Sequence, residues 1–220
     1  MSKKKDEKKL LGFVETEDLE GVEKLIGQGV NVNTQDVDGN TPLMVASASG
    51  NIPIINALLN ANADINKTNR DKVTPLYLAS HIGDDSVVEL LLSKGADANK
   101  SRDDGTSPLI IASANGHEEV VKMLLTHGAK VNHSDNHGYR AAVVAANKNI
   151  FNLLKNYKGQ NAVVMTDTML DELKMGHAFD ADSKKDMYDY IGDTARGKRK
   201  TMNKKRKVNR KRGKSNKKRK

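Results

Sequence analysis

Residues 103–132 read DDGTSPLIIASANGHEEVVKMLLTHGAKVN, and most positions in that stretch have a counterpart 33 residues away. Ser107-Pro108-Leu109 answers to Thr74-Pro75-Leu76 and to Thr41-Pro42-Leu43. Gly116 answers to Gly83 and Gly50, Leu124-Leu125 to Leu91-Leu92 and Leu58-Leu59, and Asn132 to Asn99, Asn66 and Asn33. A fixed period in this range means stacked copies of one supersecondary unit. A stack of that kind is a surface for holding something, so a partner is sought before a reaction.

The unit can be read physically in DVDGNTPLMVASASGN, residues 36–51. Asp38-Gly39 marks a turn tip, where glycine adopts positive φ at no steric cost. Thr41 reads as a helix N-cap, and Pro42 as the first helical residue, where its missing N–H is not needed. Leu43, Ala46 and Ser47 follow at helical spacing, and Gly50 ends the short helix as a left-handed cap. A second helix over 52–60 carries Ile54, Ile55, Leu58 and Leu59 on one apolar face. The loop through Asn66 leads to the next turn. Neither helix is long enough to be stable alone in water, so each unit needs neighbours.

Turn-Gly, Thr-Pro-Leu, the alanines, Gly, Val-Val, Leu-Leu, Gly-Ala-Asp and Asn, in that order and spacing, resemble the ankyrin repeat. The resemblance covers residues 5–160, roughly 70% of the chain. It implies an all-α fold, a helical solenoid of three full repeats at 36–68, 69–101 and 102–134 between degenerate caps. Upstream, Leu10, Leu25-Ile26, Gly29 and Asn33 keep register, but Glu7-Lys8-Lys9 replaces Thr-Pro and Phe13 stands where the inner copies have Ala46, Ala79 and Ala112. Downstream, Gly138, Ala145-Ala146 and Leu153-Leu154 are kept, Arg140-Ala141 replaces Thr-Pro, and Tyr157-Lys158 replaces Leu-Leu. End repeats with a polar outer face are what solubility demands of a solenoid. Lys72 occupies the turn-Gly position of the second full copy; lysine at positive φ is strained, so a differently shaped turn is expected there.

The resemblance also implies where a protein partner would bind, along a concave face made of turn tips and first helices. Carried onto this chain, those positions are Val37, Asp38 and Asn40 with Ala48 and Ser49, then Arg70, Asp71 and Val73 with His81 and Ile82. Asp103, Asp104 and Thr106 with Ala114 and Asn115 follow, and last Asn136, His137 and Tyr139 with Asn147 and Lys148. Val37, Val73, Ile82 and Tyr139 have no core duty in the repeat pattern, and apolar side chains on a polar rim are the anchor candidates. The mixture of Asp, Asn, His and Arg fits a polar protein surface; a nucleic-acid groove would need a basic stripe.

Composition agrees with a solenoid. Hydrophobic residues make up only 37% of the 220, with no Trp, which suffices where each repeat contacts only its neighbours. With no Cys, disulfides and thiolate metal sites are excluded and a reducing compartment is expected. The start, MSKKKDEKK, lacks the apolar stretch of a signal peptide, and no apolar run is long enough to span a membrane. The expectation is a soluble, intracellular monomer.

Beyond the array, at 1–160, two segments differ. Residues 161–195 begin with a mildly amphipathic stretch (Val163, Val164, Met165, Met169, Leu170, Leu173), read as a capping helix or a linear motif, and continue as an Asp-rich linker. Residues 196–220 hold 16 Lys or Arg and no acid, whereas residues 1–195 have 21 basic against 28 acidic residues, a net −7. Such a segment cannot build a core, so a disordered basic tail is expected. Lys204-Lys205-Arg206-Lys207 and Lys217-Lys218-Arg219-Lys220 resemble clusters held by import receptors, which points to the nucleus in a eukaryotic cell and otherwise to the cytoplasm. The alternative is nonspecific, salt-sensitive contact with nucleic-acid phosphates, without base stacking because no aromatic follows Tyr190. An acidic membrane surface ranks behind both, because no apolar anchor accompanies the charge.

Fragments that imitate catalytic motifs fail on spacing. Gly213-Lys214-Ser215 has Val208 where a phosphate loop needs its first Gly, and Gly27-Gln28-Gly29 has Val32 at the third Gly of a dinucleotide fingerprint. Asp180-Ala181-Asp182 is followed by Lys184 and Lys185 where a calcium loop needs an oxygen ligand and Gly. His133 and His137 have metal-like spacing but no partners to complete a tetrahedral set, and His117 reads as a hydrogen-bonding loop residue. No catalytic residues, cofactor or metal are expected.

Overall fold

The computed structural model describes residues 2–157, with side chains from residue 5. The described residues form ten helices, paired in chain order: α1 (Ser2–Glu15) with α2 (Leu19–Gly27), α3 (Pro42–Ser49) with α4 (Ile52–Asn60), α5 (Pro75–Ile82) with α6 (Asp85–Ser93), α7 (Pro108–Asn115) with α8 (Glu118–Thr126), and α9 (Ala141–Val144) with α10 (Lys148–Asn156). First helices pack on first helices along the stack, so α5 touches α3, α6 and α7, and among second helices α2 packs on α4, α6 on α8 and α8 on α10. The capping helix, acidic linker and basic tail expected at 161–195 and 196–220 lie outside the described residues.

Local chemistry sets the helix ends where the repeat pattern placed them. The hydroxyls of Thr41, Thr74 and Ser107 accept from the backbone N–H three residues on, and a proline follows each. Gly50, Gly83 and Gly116 end those helices at φ of 73°, 85° and 85°, a conformation that favours glycine. The core runs along the stack through Leu43, Leu76 and Leu109 of the first helices and Leu58, Leu91 and Leu124 of the second, all at most 1% exposed. Ser47 and Ser113 are buried in the same layer, and each hydroxyl bonds the carbonyl four residues back at 2.7 Å.

Between repeats the chain makes a four-membered series of tight turns, called fingers here: 36–40, 69–73, 102–106 and 135–139. In each, the first residue's N–H bonds the fifth residue's carbonyl, at 2.9 to 3.1 Å. The fourth residue's N–H turns back to the first residue's carbonyl: Gly39 to Asp36, Lys72 to Asn69, Gly105 to Arg102 and Gly138 to Asp135. A second ladder ties the loops, because the side-chain oxygens of Asn33, Asn66 and Asn99 accept from the N–H of Asp64, Asp97 and Lys130 at 2.7 to 2.9 Å. The recurring asparagine is therefore a rivet between repeats.

Two sequence expectations about the repeats are corrected. Lys72 does not reshape its finger: it adopts φ 59° and keeps the same turn bond, so the strain is accepted rather than avoided. Left-handed backbone costs a non-glycine residue about 1–2 kcal/mol. Lys72→Gly is accordingly expected to raise the unfolding free energy by about 1 kcal/mol and Tm by a few degrees. Thermal melts of the two proteins test this, and an unchanged or lower Tm would show that the lysine is not strained there.

The last repeat does not hold the 33-residue register. Arg140 provides no side-chain cap and α9 lasts only four residues. The N–H of Ala146 instead bonds the Ser113 carbonyl of α7 at 2.8 Å. With a turn missing, α10 comes three residues early, and Ile150, Phe151 and Leu154 take the buried places held in α8 by Val120, Val121 and Leu124. Tyr157 is thus not a replaced leucine; its hydroxyl donates to the Leu125 carbonyl at 2.8 Å.

At the other end, α1 continues as helix through the residues that would form a preceding finger. Its Phe13 is accommodated by Gly21 of α2, where an added Cβ would lie 2.7 Å from the Phe13 ring. The inner repeats carry the reverse pairing, Ala46 with Ile54, Ala79 with Val87 and Ala112 with Val120. Large and small residues exchange places across one contact, conserving volume.

Candidate interaction face

The fingers are joined edge to edge by backbone bonds. Arg70 N–H donates to the Asp38 carbonyl at 3.2 Å, Asp103 to Asp71 at 3.0 Å, and Asn136 to Asp104 at 2.9 Å. Side chains brace each tip. Asp36, Asn69 and Asp135 each accept two N–H groups, from the residues two and four positions on. Arg102 cannot accept, so Asp104 takes that task and receives the Thr106 N–H at 2.8 Å.

Arg102 is thereby released to other partners. Its guanidinium lies 3.4 Å from Asp103 and 3.3 Å from Asp104. Burial raises the Tyr77 pKa although Arg102 opposes it. Burial works against the charged forms of Asp36 and Asp104, yet hydrogen bonds from Asn40 in one case and Thr106 in the other, with help from Arg102, hold both carboxyls below the usual range. A depressed folded pKa means their stabilisation is complete above about pH 4 and is lost as pH falls through the folded values.

Most of the expected contact positions are exposed. Val37, Ile82 and Tyr139 are the exposed large apolar residues among those described, at 77%, 47% and 40%. Asp38, Arg70, Asp71, His81, Asp103 and Asn115 are also exposed, as are Ala48, Ser49, Ala114, Asn136, His137 and Lys148. The Tyr139 ring stacks on His137 at 6.3 Å. Val73 is the correction: only 7% exposed, it belongs to the core and cannot anchor a partner. Val73 is the fifth residue of its finger, a place that is half-buried for the polar Asn40 and Thr106 and exposed for Tyr139. Asn40, Thr106 and Asn147 are half-buried; Asn40 bonds Asp36 and Asn69, and Asn147 caps α10 through Ile150.

Sequence reasoning missed a set of half-buried apolar residues, Val45, Leu78, Ile111 and Val144. They share a helix face with Ala48-Ser49, His81-Ile82 and Ala114-Asn115 by their three- and four-residue spacing. In the first repeat a single cleft is lined by both α1 and the first finger. Nothing in the sequence separates these residues from the core, because they sit inside unbroken apolar runs such as Leu109-Ile110-Ile111.

His117 and His133 are held by hydrogen bonds between repeats. His117 Nε2 lies 3.1 Å from the His81 carbonyl, and His133 Nε2 lies 2.7 Å from the Gly105 carbonyl and 3.1 Å from Ser101 Oγ. Among the described residues no group of three His, Cys, Asp or Glu side chains is placed to hold a metal ion. No described helix is long and apolar enough to cross a membrane. No individual curated protein matches the chain. A family model described as ankyrin repeats (3 copies) matches residues 10–102 and 79–166.

Proposed function

Because the chain belongs to the ankyrin-repeat family, we propose that it is a non-catalytic adaptor that grips a protein on the face shared by its fingers and first helices. The family as a whole points to protein–protein interaction and is generally non-enzymatic. The observation that carries the finer reading is the placement of Ile82, Tyr139 and Val37 as apolar points on an otherwise polar, hydrogen-bonded rim. Such side chains are the usual anchors of an interface.

The basic segment 196–220, with Lys204-Lys205-Arg206-Lys207 and Lys217-Lys218-Arg219-Lys220, would then decide where the adaptor works. Its charge suits the acidic groove of an import receptor, which favours the nucleus. The rival reading gives the tail the main affinity, through phosphate contacts, and makes the array secondary.

Affinity capture with the full chain, with residues 1–160, and with an Ile82→Asp/Tyr139→Asp variant separates these readings. Partners held by residues 1–160 through high salt and nuclease, and reduced at least tenfold by the double substitution, are the expected result. Partners lost with the tail, with salt or with nuclease would favour the rival. For import, a fluorescent protein fused to residues 194–220 should accumulate in nuclei, and a uniform distribution would remove that role.

A further inference from the structure

The finger ladder has an unfinished first rung. In fingers two, three and four the N–H of the second residue (Arg70, Asp103, Asn136) reaches the third residue's carbonyl on the finger before. In the first finger the equivalent donor is Val37 N–H, and it bonds nothing among the described residues. The carbonyl it would need, counted back by one repeat, is that of Lys5, which lies inside α1.

Beside this donor lies a cleft whose walls are Glu7, Lys8, Leu11, Gly12 and Glu15 of α1 on one side and Val37 on the other. It exists for a local reason. Gly12 stands, one period back, at the position of Val45, Leu78 and Ile111, which carry half-buried apolar side chains where Gly12 has none. A Cβ built at Gly12 meets nothing within 4 Å. The cleft carries three carboxylates, Glu7, Glu15 and Asp36, against one amine, Lys8; Asp36 is held by its own finger, and neither glutamate is ion-paired among the side chains described from residue 5 on.

We infer that this cleft is a docking site for an extended peptide segment of a partner protein, with an aliphatic residue flanked by Lys or Arg. A peptide carbonyl completes the rung with Val37 N–H, as an added strand does at a sheet edge. The aliphatic side chain fills the space above Gly12, between Leu11 and Val37. The flanking cations face Glu7 and Glu15. The site rests on the reading of the array as a protein-binding surface and gives its first repeat a specificity of its own.

Two substitutions test it without threatening the fold. Gly12→Leu fills the cleft and removes a helix-interior glycine, so α1 should become more stable. Val37→Pro deletes the donor at the second position of a turn, where the proline φ is favoured. The full-length, nitrogen-15-labelled chain is titrated with an acetylated, amidated Lys-Val-Lys-Val-Lys peptide and with its Glu-Val-Glu-Val-Glu counterpart, following backbone amide shifts. Saturable shifts at Leu11, Gly12 and Val37 with the basic peptide are expected, with at least tenfold weaker binding of the acidic one at those amides. Gly12→Leu should weaken the basic peptide at least tenfold, and Val37→Pro by roughly tenfold, the size of one lost hydrogen bond. No saturable shift at these amides, equal binding of the two peptides there, or unchanged affinity in Gly12→Leu would overturn the proposal. Capture of partners by the array that survives Gly12→Leu but not Ile82→Asp/Tyr139→Asp would remove the cleft as their docking site and leave the rim reading intact.

Discussion

Leu91→Ala is expected to lower the unfolding free energy by about 3–4 kcal/mol, among the largest effects of any side-chain truncation here. Leu91 is fully buried in α6 of the central repeat, where α6 packs on α5 and on α8. Truncation removes the transfer free energy of three carbons and leaves a void that close-packed neighbours cannot collapse to fill. The position adds a second consequence. In a solenoid, stability is a sum of repeat and nearest-neighbour terms, so a weakened central repeat uncouples the two ends. Urea unfolding of Leu91→Ala should therefore show a shallower or two-step transition as well as a lower midpoint. Leu90→Ala, half-buried on the same helix, is the control and should cost about 1 kcal/mol with the slope unchanged. Equal effects at the two positions would contradict the packing described.

Gly83→Ala is expected to cost about 3 kcal/mol, from two separable sources. The backbone there has φ 85°, which costs an alanine about 1–2 kcal/mol. The new Cβ would also lie 2.3 Å from Nδ1 of His117, whose ring must leave its bond to the His81 carbonyl. A double-mutant cycle separates them. In a His117→Ala background the contact is gone, so Gly83→Ala should cost only the backbone share. Gly116→Ala serves as a second reference: its φ is also 85°, but its nearest neighbour is the Ala146 side chain at 3.5 Å. It should cost less than Gly83→Ala by about 1 kcal/mol or more, because that neighbour is at ordinary van der Waals distance. If the cycle shows no coupling between Gly83 and His117, the close approach of that ring to the helix cap is wrong.

Much of the array is legible along the chain because its signals are local. A hydroxyl, a proline and a glycine fix the limits of an eight-residue helix through bonds made within four residues, and no distant contact is needed to see them. The rivets are half-legible: the recurrence of Asn33, Asn66, Asn99 and Asn132 is plain, but its meaning, a side-chain bond across 31 residues, appears only when repeats are stacked. Register at the last repeat misled for a related reason. Counting in steps of 33 assigned Tyr157-Lys158 to the leucine positions, whereas the loss of a helical turn in α9 let Phe151 and Leu154 slide into the core. Burial chooses the register, and spacing alone carries no record of a missing turn.

The proposed interaction face shows the same division. Exposure of Val37, Ile82 and Tyr139 followed from their lack of any repeat duty, but Val73 has none either and is buried, at the finger position where Tyr139 is exposed. By itself the sequence determined the repeat, the helix caps, the turn glycines and the +16 charge of residues 196–220, since each is written in neighbouring residues or in simple counts. Only the tertiary structure decided that Lys72 keeps its strained turn, that Phe13 is matched by Gly21, and that Gly12 opens a cleft beside an unpaired Val37 N–H. Those outcomes depend on side chains from different repeats competing for the same space, and one-dimensional order does not state who wins.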